Sequence, residues 1–142
     1  MIKQIVIFSA VTLMLIMAIN PAFGVSPLER AEVNDVRLVN LSGSTLGEHI
    51  LVNQPVQITA KISNTQDAIQ DFVYIVQIKD ENDVVVKLGW ISGSLTKLQS
   101  FNAALSWTPK DSGVYMAEIF VWDTLLHQGA LTNTVTLEII TS

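Results

Sequence analysis

Few side chains in this sequence have the chemistry of a metal ligand or a nucleophile. The chain contains no cysteine and only two histidines, His49 and His127. A copper site of the kind found in exported β-sandwich proteins needs a cysteine thiolate, two histidines and usually a methionine, converging from nearby loops. The sequence does not supply that set, so both histidines are predicted to be ordinary loop residues.

The densest group of carboxylates is the run Asp80-Glu81-Asn82-Asp83. Carboxylate oxygens bind calcium, but a calcium loop carries them at fixed spacing around a glycine, and this run has no such glycine. Asp and Asn favour turns because their side chains bond nearby backbone groups. The run is therefore predicted to be a solvated turn that folds one strand back on the next.

Motifs typical of catalysis are also missing from the sequence. It has no Ser-His-acid set tied to a nucleophile motif and no glycine-rich phosphate loop. We therefore expect a protein that is not an enzyme and that uses no cofactor and no metal. A hydrolase whose residues meet only in three dimensions is the alternative.

Residues 1–24 have the pattern of a secretory signal peptide. Lys3 is followed by a mostly apolar run over residues 5–19 and then by the small residues Ala22 and Gly24, which predicts cleavage after Gly24. The alternative is an uncleaved anchor helix, but the run is shorter than the roughly 20 apolar residues that span a bilayer. We expect a protein that is secreted and associated with the cell surface, with no membrane span after cleavage.

The charge balance limits the kinds of partner. The whole chain carries a formal net charge of −5, and removal of Lys3 with the signal peptide makes the balance more acidic. Because nucleic acids and anionic membranes attract basic surfaces, this balance argues against both as partners. The expected partner is another envelope or surface protein, or a second copy of the chain.

The apolar residues beyond a predicted tether at 25–33 occur in short, strand-like runs separated by turn residues. Val56, Ile58, Ala60 and Ile62 alternate with polar residues, which predicts a strand buried on one face. Similar runs extend from Val36–Val39 to Thr134–Ile140, while 91–98 is predicted to be irregular or a short edge strand broken at Gly93. Seven or eight such strands are typical of a Greek-key sandwich.

A tight corner is predicted at Asp111-Ser112-Gly113-Val114-Tyr115, shortly after Trp107. Gly113 can adopt positive φ, Asp111 can cap backbone donors, and the hydroxyl of Tyr115 can bond a backbone group upstream. In immunoglobulin domains a disulfide cysteine follows two residues after such a tyrosine, and here that position is Ala117. The tyrosine is expected to fasten the loop to the sheet without sulfur.

Several stretches together resemble the immunoglobulin-like modules of prokaryotic surface proteins. They are Asn53–Ala60, Ser106–Pro109, Gly113–Tyr115 and Val121–Asp123. The nearest resemblance is to the cell-adhesion-related domain found in bacteria and archaea, with fibronectin type III-like domains as neighbours. Other stretches resemble small exported proteins of ammonia-oxidising archaea: Tyr74–Gln77, Leu88–Trp90 and Phe120–Trp122. The resemblance implies an all-β, immunoglobulin-like Greek-key sandwich of seven or eight strands over residues 34–142.

One sheet of this sandwich is predicted to show an apolar and aromatic face to solvent. Alternation counted from Tyr115 gives the strand residues that point outward, and the loop after Asp123 extends this surface. Lys79 and Glu118 are expected at its rim. The partner-binding candidates are Val73, Ile75, Met116, Phe120, Trp122, Leu125 and Leu126. An exposed patch of this kind usually marks a partner surface. The alternative is that residues 25–34 or the loop at 91–100 cover the face and complete the core.

The expected function is protein-protein interaction or adhesion by a non-enzymatic exported module, for example a small accessory subunit of an envelope assembly. One alternative is a carbohydrate- or small-ligand-binding module in which Trp90 and Trp122 stack on a sugar ring. Another is an inert structural spacer. Asn40-Leu41-Ser42 matches the Asn-x-Ser glycosylation rule, so Asn40 is a candidate glycosylation site.

Overall fold

Nearly all of the chain that the structure describes is β-strand and short turns. The structure is a computed structural model that describes residues 25–142. The predicted signal peptide lies outside these residues. The 3-10 helix Pro27–Glu29 precedes eight strands: β1 Ala31–Val39, β2 His49–Ile50, β3 Val56–Asn64, β4 Gln70–Lys79, β5 Val85–Leu95, β6 Ser100–Trp107, β7 Gly113–Trp122 and β8 Val135–Thr141. Within residues 25–142, no helix has the length and hydropathy needed to span a membrane.

The strands form two sheets that pack face to face. One sheet has three strands in the order β1-β3-β6, and the other has five in the order β2-β8-β7-β4-β5. All neighbouring strands are antiparallel except β2 and β8, which are parallel. The predicted all-β sandwich of seven or eight strands is confirmed. The two-residue strand β2 was missed because it is too short to show alternation.

The first strand begins earlier than the sequence suggested. Ala31 is buried and pairs with Asn64, and its N–H donates a hydrogen bond of 3.2 Å to the carbonyl of Leu131. The end of the predicted tether at 25–33 is therefore part of the sandwich. The pattern was hidden because β1 contains a register shift between Asn34 and Arg37, which interrupts the period of two.

Strand β5 also differs from the prediction, because it runs without interruption to Leu95. Gly93 was expected to break it, but Gly93 pairs with Phe72 of β4. A Cβ at Gly93 would come within 3.0 Å of the Phe72 ring. The glycine is therefore explained by the close approach of a neighbouring ring, and it does not end the strand.

The core lies between the sheets and is tied across them by two aromatic contacts. The ring of Tyr74 on β4 is fully buried, and its hydroxyl donates a hydrogen bond of 3.2 Å to the carbonyl of Ile58 on β3. The rings of Trp107 on β6 and Tyr115 on β7 meet edge to face with centroids 5.0 Å apart. Both contacts connect one sheet with the other, so they hold the layers in register without a disulfide.

The predicted corner forms at the start of β7, with one correction. The Tyr115 hydroxyl donates to the carbonyl of Asp111 at 3.0 Å, and Gly113 has a φ of +154°. Asp111 was expected to cap backbone donors with its carboxylate, but it contributes its backbone carbonyl, which also accepts from the Thr141 hydroxyl at 2.8 Å. Burial raises the pKa of Tyr115, and the charge of Asp111 adds to the effect.

A buried asparagine connects two loops at the opposite end of the sandwich. The side-chain amide of Asn64 donates to the carbonyls of Ala68, Leu95 and Thr96 at 2.7, 3.2 and 3.0 Å. Its carbonyl oxygen accepts from the N–H of Gln66 at 3.0 Å. Because buried polar groups are costly when unpaired, this set of bonds fixes where β3 ends and how the next loops leave the sheets.

The hydrogen bond of Tyr74 generates a test of the contact between the sheets. Burial raises the pKa of Tyr74 above its usual value, so its contribution to stability is fully present below the pKa of an unfolded tyrosine, about 10, and is lost as pH rises further. We expect Tyr74→Phe to lower the free energy of unfolding by about 1 kcal/mol at neutral pH, and to make its decline above pH 10 shallower. Urea titrations at pH 7 and at two alkaline pH values measure both effects.

Tyr115→Phe is the matched control, because it removes the other tyrosine hydroxyl and leaves Tyr74 in place. Burial also raises the pKa of Tyr115, so its replacement should make the alkaline decline somewhat shallower, but less so than Tyr74→Phe, because Tyr74 is the more deeply buried of the two. An alkaline decline in Tyr74→Phe as steep as that of the parent chain would contradict the assignment.

Candidate functional site

The outer surface of the five-stranded sheet carries a cluster of large apolar side chains on its β5, β4 and β7 strands. The pairing places Ile75 between Trp90 and Phe120, and Val73 beside Trp122. We call this cluster the aromatic face, defined by Val73, Ile75, Leu88, Trp90, Phe120 and Trp122. It contains four of the seven predicted partner-binding residues, and Leu88 and Trp90 are additions.

The exposed part of the aromatic face lies mainly on β5. Trp90 and Leu88 are 52% and 51% exposed, whereas Phe120 and Trp122 on β7 are half-buried and their rings pack with centroids 6.0 Å apart. Met116, further along β7, is also exposed. A partner that contacts this surface would meet the rings of β5 first and the paired rings of β7 beside them.

The prediction that Val73 and Ile75 are exposed is wrong. They point outward from the sheet, but they are only 4% and 6% exposed. Strand β4 is flanked on both sides by strands with larger side chains, so the rings of Trp90, Phe120 and Trp122 screen it from solvent. These two residues support the aromatic face from beneath and do not present a contact surface of their own.

Neither segment that was expected as a possible cover lies over the aromatic face. The chain from Ala31 onwards pairs with β3 in the other sheet, and 91–95 continues β5 within the sheet plane. The residues that follow, Thr96–Gln99, form a turn in which the Gln99 N–H donates to the Thr96 carbonyl at 3.1 Å. In the part of the chain that the structure describes, Trp90 stays exposed and Phe120 stays partly exposed, so these segments do not bury the face.

The same sheet surface becomes polar toward the other end of β4. Glu118 accepts a hydrogen bond of 2.8 Å from the side-chain amide of Gln77 and lies 3.2 Å from the ammonium of Lys79, which also lies 3.2 Å from Asp83. The hydrogen bond to Asp83 and then that to Glu118 raise the pKa of Lys79. The polar group borders the aromatic face beside Ile75 and Phe120, which is where the sequence placed its rim.

The loop after β7 is organised by an aspartate. The Asp123 carboxylate accepts from the N–H groups of Thr124 and Gly129 at 2.6 and 2.9 Å. Burial acts in the opposite direction, but these backbone bonds lower the pKa of Asp123. The closed loop presents the predicted residues Leu125 and Leu126 to solvent, and Leu126 is 90% exposed. They extend apolar surface beyond Trp122, which bridges to Ala130 on the returning chain.

The candidate metal ligands are occupied by contacts within the protein. Asp80 accepts from the N–H groups of Asn82 and Val84 at 2.8 and 3.0 Å, and Glu81 accepts from the N–H of Val114 at 3.1 Å. These bonds match the predicted turn between β4 and β5. Among residues 25–142, no three histidine or acidic side chains are grouped so that they could hold a metal ion.

The prediction that both histidines are loop residues is wrong for His49, which begins the two-residue strand β2 that the sequence did not reveal, and right for His127. His49 is exposed in β2, and the ring of His127 lies 3.2 Å from the hydroxyl of Thr124 in the loop after β7. Asn40 directly follows β1, and its side-chain oxygen accepts from the N–H groups of Ser42 and Ser44 at 3.0 and 2.9 Å. The residues of this turn after Asn40, including Ser42, are exposed. Glycosylation of Asn40 stays a prediction.

A separate cleft of about 550 Å³ opens beside the corner, where β5 and β6 part from each other. Its walls include the aromatic rings of Trp107 and Tyr115 and the cationic side chains of Lys87 and Lys110. The sequence gave no signal for it, because its lining comes from strands and a turn that are distant along the chain. The rings that line it belong to the contact between the sheets.

Comparison with known proteins shows the fold. No protein-family model matches the sequence, and no curated protein matches it either. The structure is similar to that of a CARDB domain from Pyrococcus furiosus in complex with di-metal ions, with a TM-score of 0.54 and 18% identity over 80% of this chain and 94% of that one. The chain therefore has an immunoglobulin-like β-sandwich fold.

Two larger proteins contain a similar part. A Paenibacillus cycloisomaltooligosaccharide glucanotransferase complexed with cycloisomaltoheptaose has a TM-score of 0.60 and 21% identity; 78% of this chain matches 14% of that one. A β-glucosidase from Listeria innocua in complex with gluconolactone has a TM-score of 0.56 and 12% identity over 79% of this chain and 16% of that one. The chain thus spans about a seventh of each enzyme. At these identities the likeness concerns the fold, and the predicted likeness to small exported archaeal proteins stays a prediction.

The different burial of two paired residues on the aromatic face leads to a stability test. Ile75 is buried and Trp90 is half exposed, although both point to the same side. We expect Ile75→Ala to lower the free energy of unfolding by about 2 kcal/mol or more. Threonine also favours strands, so Trp90→Thr should lower the free energy of unfolding by only about 1 kcal/mol or less. Urea unfolding of both variants measures the difference.

Equal costs would contradict the arrangement. A Trp90 variant that unfolds the chain would show that the ring is part of the core.

Proposed function

We propose that this protein is a non-catalytic interaction module that binds another protein through the aromatic face. The observation that supports the proposal most is the exposure of Trp90 and Leu88 next to the paired rings of Phe120 and Trp122. Exposed apolar clusters with a polar border are typical of protein contact surfaces. Tryptophan is prominent among residues that supply most of the binding energy there.

The rigidity of the surface favours this role. Strand β4 lies between β5 and β7, and its Val73 and Ile75 side chains are buried beneath the rings. The exposed rings are therefore already ordered before binding, so little conformational entropy is lost when a partner arrives. At about 25 cal/mol per Å² of apolar area removed from water, a few rings supply several kcal/mol before the costs of association.

The polar group at the edge of the face supplies orientation. Glu118 and Lys79 form an ion pair at 3.2 Å beside the apolar cluster. Charges at the rim of an interface contribute more to the rate and the specificity of association than to affinity. A partner would therefore carry an apolar centre and a polar margin that matches these two side chains.

We also propose that the module acts outside the cytoplasm, in a cell envelope or at the cell surface. This part of the proposal is supported by the signal-peptide pattern in residues 1–24. A sandwich that holds its sheets together without cysteine does not depend on an oxidising compartment, so the fold is compatible with export but does not require it.

A carbohydrate-binding role is the second candidate, and the half-exposed ring of Trp90 favours it. A sugar stacked on this ring would change its fluorescence, whereas a protein contact surface would not respond to small sugars. We expect soluble glucose oligomers to leave the tryptophan emission of the purified chain unchanged. A saturable change that Trp90→Thr abolishes would support the carbohydrate role in place of protein contact.

The absence of cysteine makes a direct test of the proposed function possible. Met116→Cys places a unique thiol on the outer surface of β7, and Ala104→Cys places one on the exposed outer surface of β6 in the other sheet. Each variant is labelled with a benzophenone and irradiated with the surface fraction of the cells that make the protein. We expect a product of one discrete mass from position 116 and none of that mass from position 104.

Competition decides whether the product is specific. An excess of the unlabelled parent chain should remove it, and an excess of Phe120→Ser, Trp122→Ser chain that keeps its β-sheet spectrum should not. Equal products from positions 116 and 104, or equal competition by both chains, would overturn the proposal.

A further inference from the structure

We propose that strand β5 is a self-pairing edge. In this arrangement two copies of the chain join antiparallel through β5, around a two-fold axis that passes by Trp90. The two five-stranded sheets then become one continuous sheet. The inference goes beyond the proposed function, because it concerns the edge of the sheet, whereas the function concerns its face.

The hydrogen-bonding edge of β5 is long and almost uncharged. Strand β5 has 11 residues, pairs only with β4, and has a single charged side chain, that of Lys87. One row of its backbone N–H and C=O groups therefore faces away from the sheet. A long apolar edge of this type is a template for pairing with another strand, and proteins usually blunt such edges with charges, bulges or short strands.

Two of the other three edges of the sheets are blunted in these ways. Strand β2 has two residues, and β1 combines a register shift with the charged residues Glu32, Asp35 and Arg37. Strand β6 is shorter than β5 and has polar Ser100, Asn102 and Ser106 along its length. Among the edge strands that the structure describes, β5 is thus the longest, and it has no acidic residue.

The side chains of β5 complement each other when the strand is paired with itself about Trp90. Leu88 then lies opposite Ser92 of the second copy, Lys87 lies opposite Gly93, and Gly89 lies opposite Ile91. Each larger side chain of these pairs faces a smaller one, so the side chains fit on both faces of the sheet. The two Trp90 rings meet directly across the axis, and aromatic cross-strand pairs of this kind stabilise sheets.

Charge favours a second copy of the chain as the occupant of this edge. The chain is acidic overall, with a net charge of −5, so copies repel each other, and a contact free of acidic groups adds least to that repulsion. Strand β5 contains no acidic residue, and the self-pairing places neither Lys87 opposite itself. The one irregularity, a register shift between the pairs Ile78–Lys87 and Lys79–Val85, lies at the start of β5, next to the outermost of the pairs described above.

The dimer would also enlarge the aromatic face. Leu88 and Trp90 point to the same side as Ile75 and Phe120, so antiparallel pairing brings the two aromatic faces side by side. Because β7 lies two strands away from the edge, its rings stay accessible in the dimer. A partner would then meet a continuous surface built from both copies.

Cysteine pairs give a test of the register. Residues 88 and 92 of one copy are about 13 Å apart at roughly 3.3 Å per residue, too far for a disulfide, which needs Cα atoms closer than about 7 Å. In the proposed pairing, position 88 lies opposite position 92 of the second copy. Mixed Leu88→Cys and Ser92→Cys chains should therefore form a disulfide-linked dimer on mild oxidation, and neither single variant alone should do so.

Light scattering of the purified parent chain provides the second measurement. We expect a mass that rises from one copy to two with concentration, and a dissociation constant that Trp90→Lys raises roughly tenfold or more, because it places like charges directly opposite each other. Leu51→Lys is the matched control: it adds the same charge at another exposed leucine, in the loop between β2 and β3, and should leave the dissociation constant unchanged.

The outcomes separate this inference from the proposed function. A parent chain that stays monomeric at all concentrations, or a dimer whose 88 and 92 cysteines fail to crosslink in the mixture, overturns self-pairing through β5. A specific benzophenone product from position 116 would still support the proposed function in that case. A β5 dimer without that product would support self-pairing alone.

Discussion

The contact between the two sheets is the constraint on which the rest of the structure depends. An immunoglobulin-like sandwich needs its layers fixed face to face, and this chain has no cysteine with which to crosslink them. The buried hydroxyl of Tyr74 reaches the backbone of Ile58 in the opposite layer, and Trp107 packs edge to face on Tyr115. Burial and aromatic geometry thus perform the task that a disulfide performs in many relatives of the fold.

This internal arrangement also determines what the outer surface can do. Tyr74 points inward from β4, so its neighbours Val73 and Ile75 point outward. They are buried there because β5 and β7 place large rings on both sides of them. Strand β4 is consequently apolar on both faces from Phe72 to Val76, which leaves the exposed rings of this sheet on the flanking strands. The proposed contact surface therefore consists of rings on β5 and β7 that rest on the buried side chains of β4.

The sequence predicted those features that arise from local periodicity and turn chemistry. Alternation in Val56–Ile62 identified a half-buried strand, and Asp111–Tyr115 identified the corner, because both signals act over a few residues. The prediction that Gly93 breaks the strand was wrong because the glycine accommodates the ring of Phe72, which belongs to another strand. The exposure of Ile75 was also mistaken, since alternation gives the direction of a side chain but not the size of its neighbours across the sheet.

The candidate site was predictable to a similar extent. Phe120 and Trp122 were found by counting from the corner, and the structure places both on the outer surface. Leu88 and Trp90 were not assigned to the same surface, because their direction follows from the register between β4 and β5. That register depends on the length of the intervening turn and on the bulge at its base. Long-range pairing of this kind leaves no periodic signal in the sequence.

The most direct test of the central claim is oxidative footprinting of the protein in the intact cells that make it, compared with the dilute purified chain. Trp90 and Met116 are exposed on the outer surface of the five-stranded sheet, and Phe101 is exposed on the other sheet. The account predicts that Trp90 and Met116 are oxidised much less in the cells than in the dilute chain, while Phe101 is oxidised equally in both. Equal oxidation of Trp90 in the two settings would contradict the assignment of this surface as the one through which the protein acts.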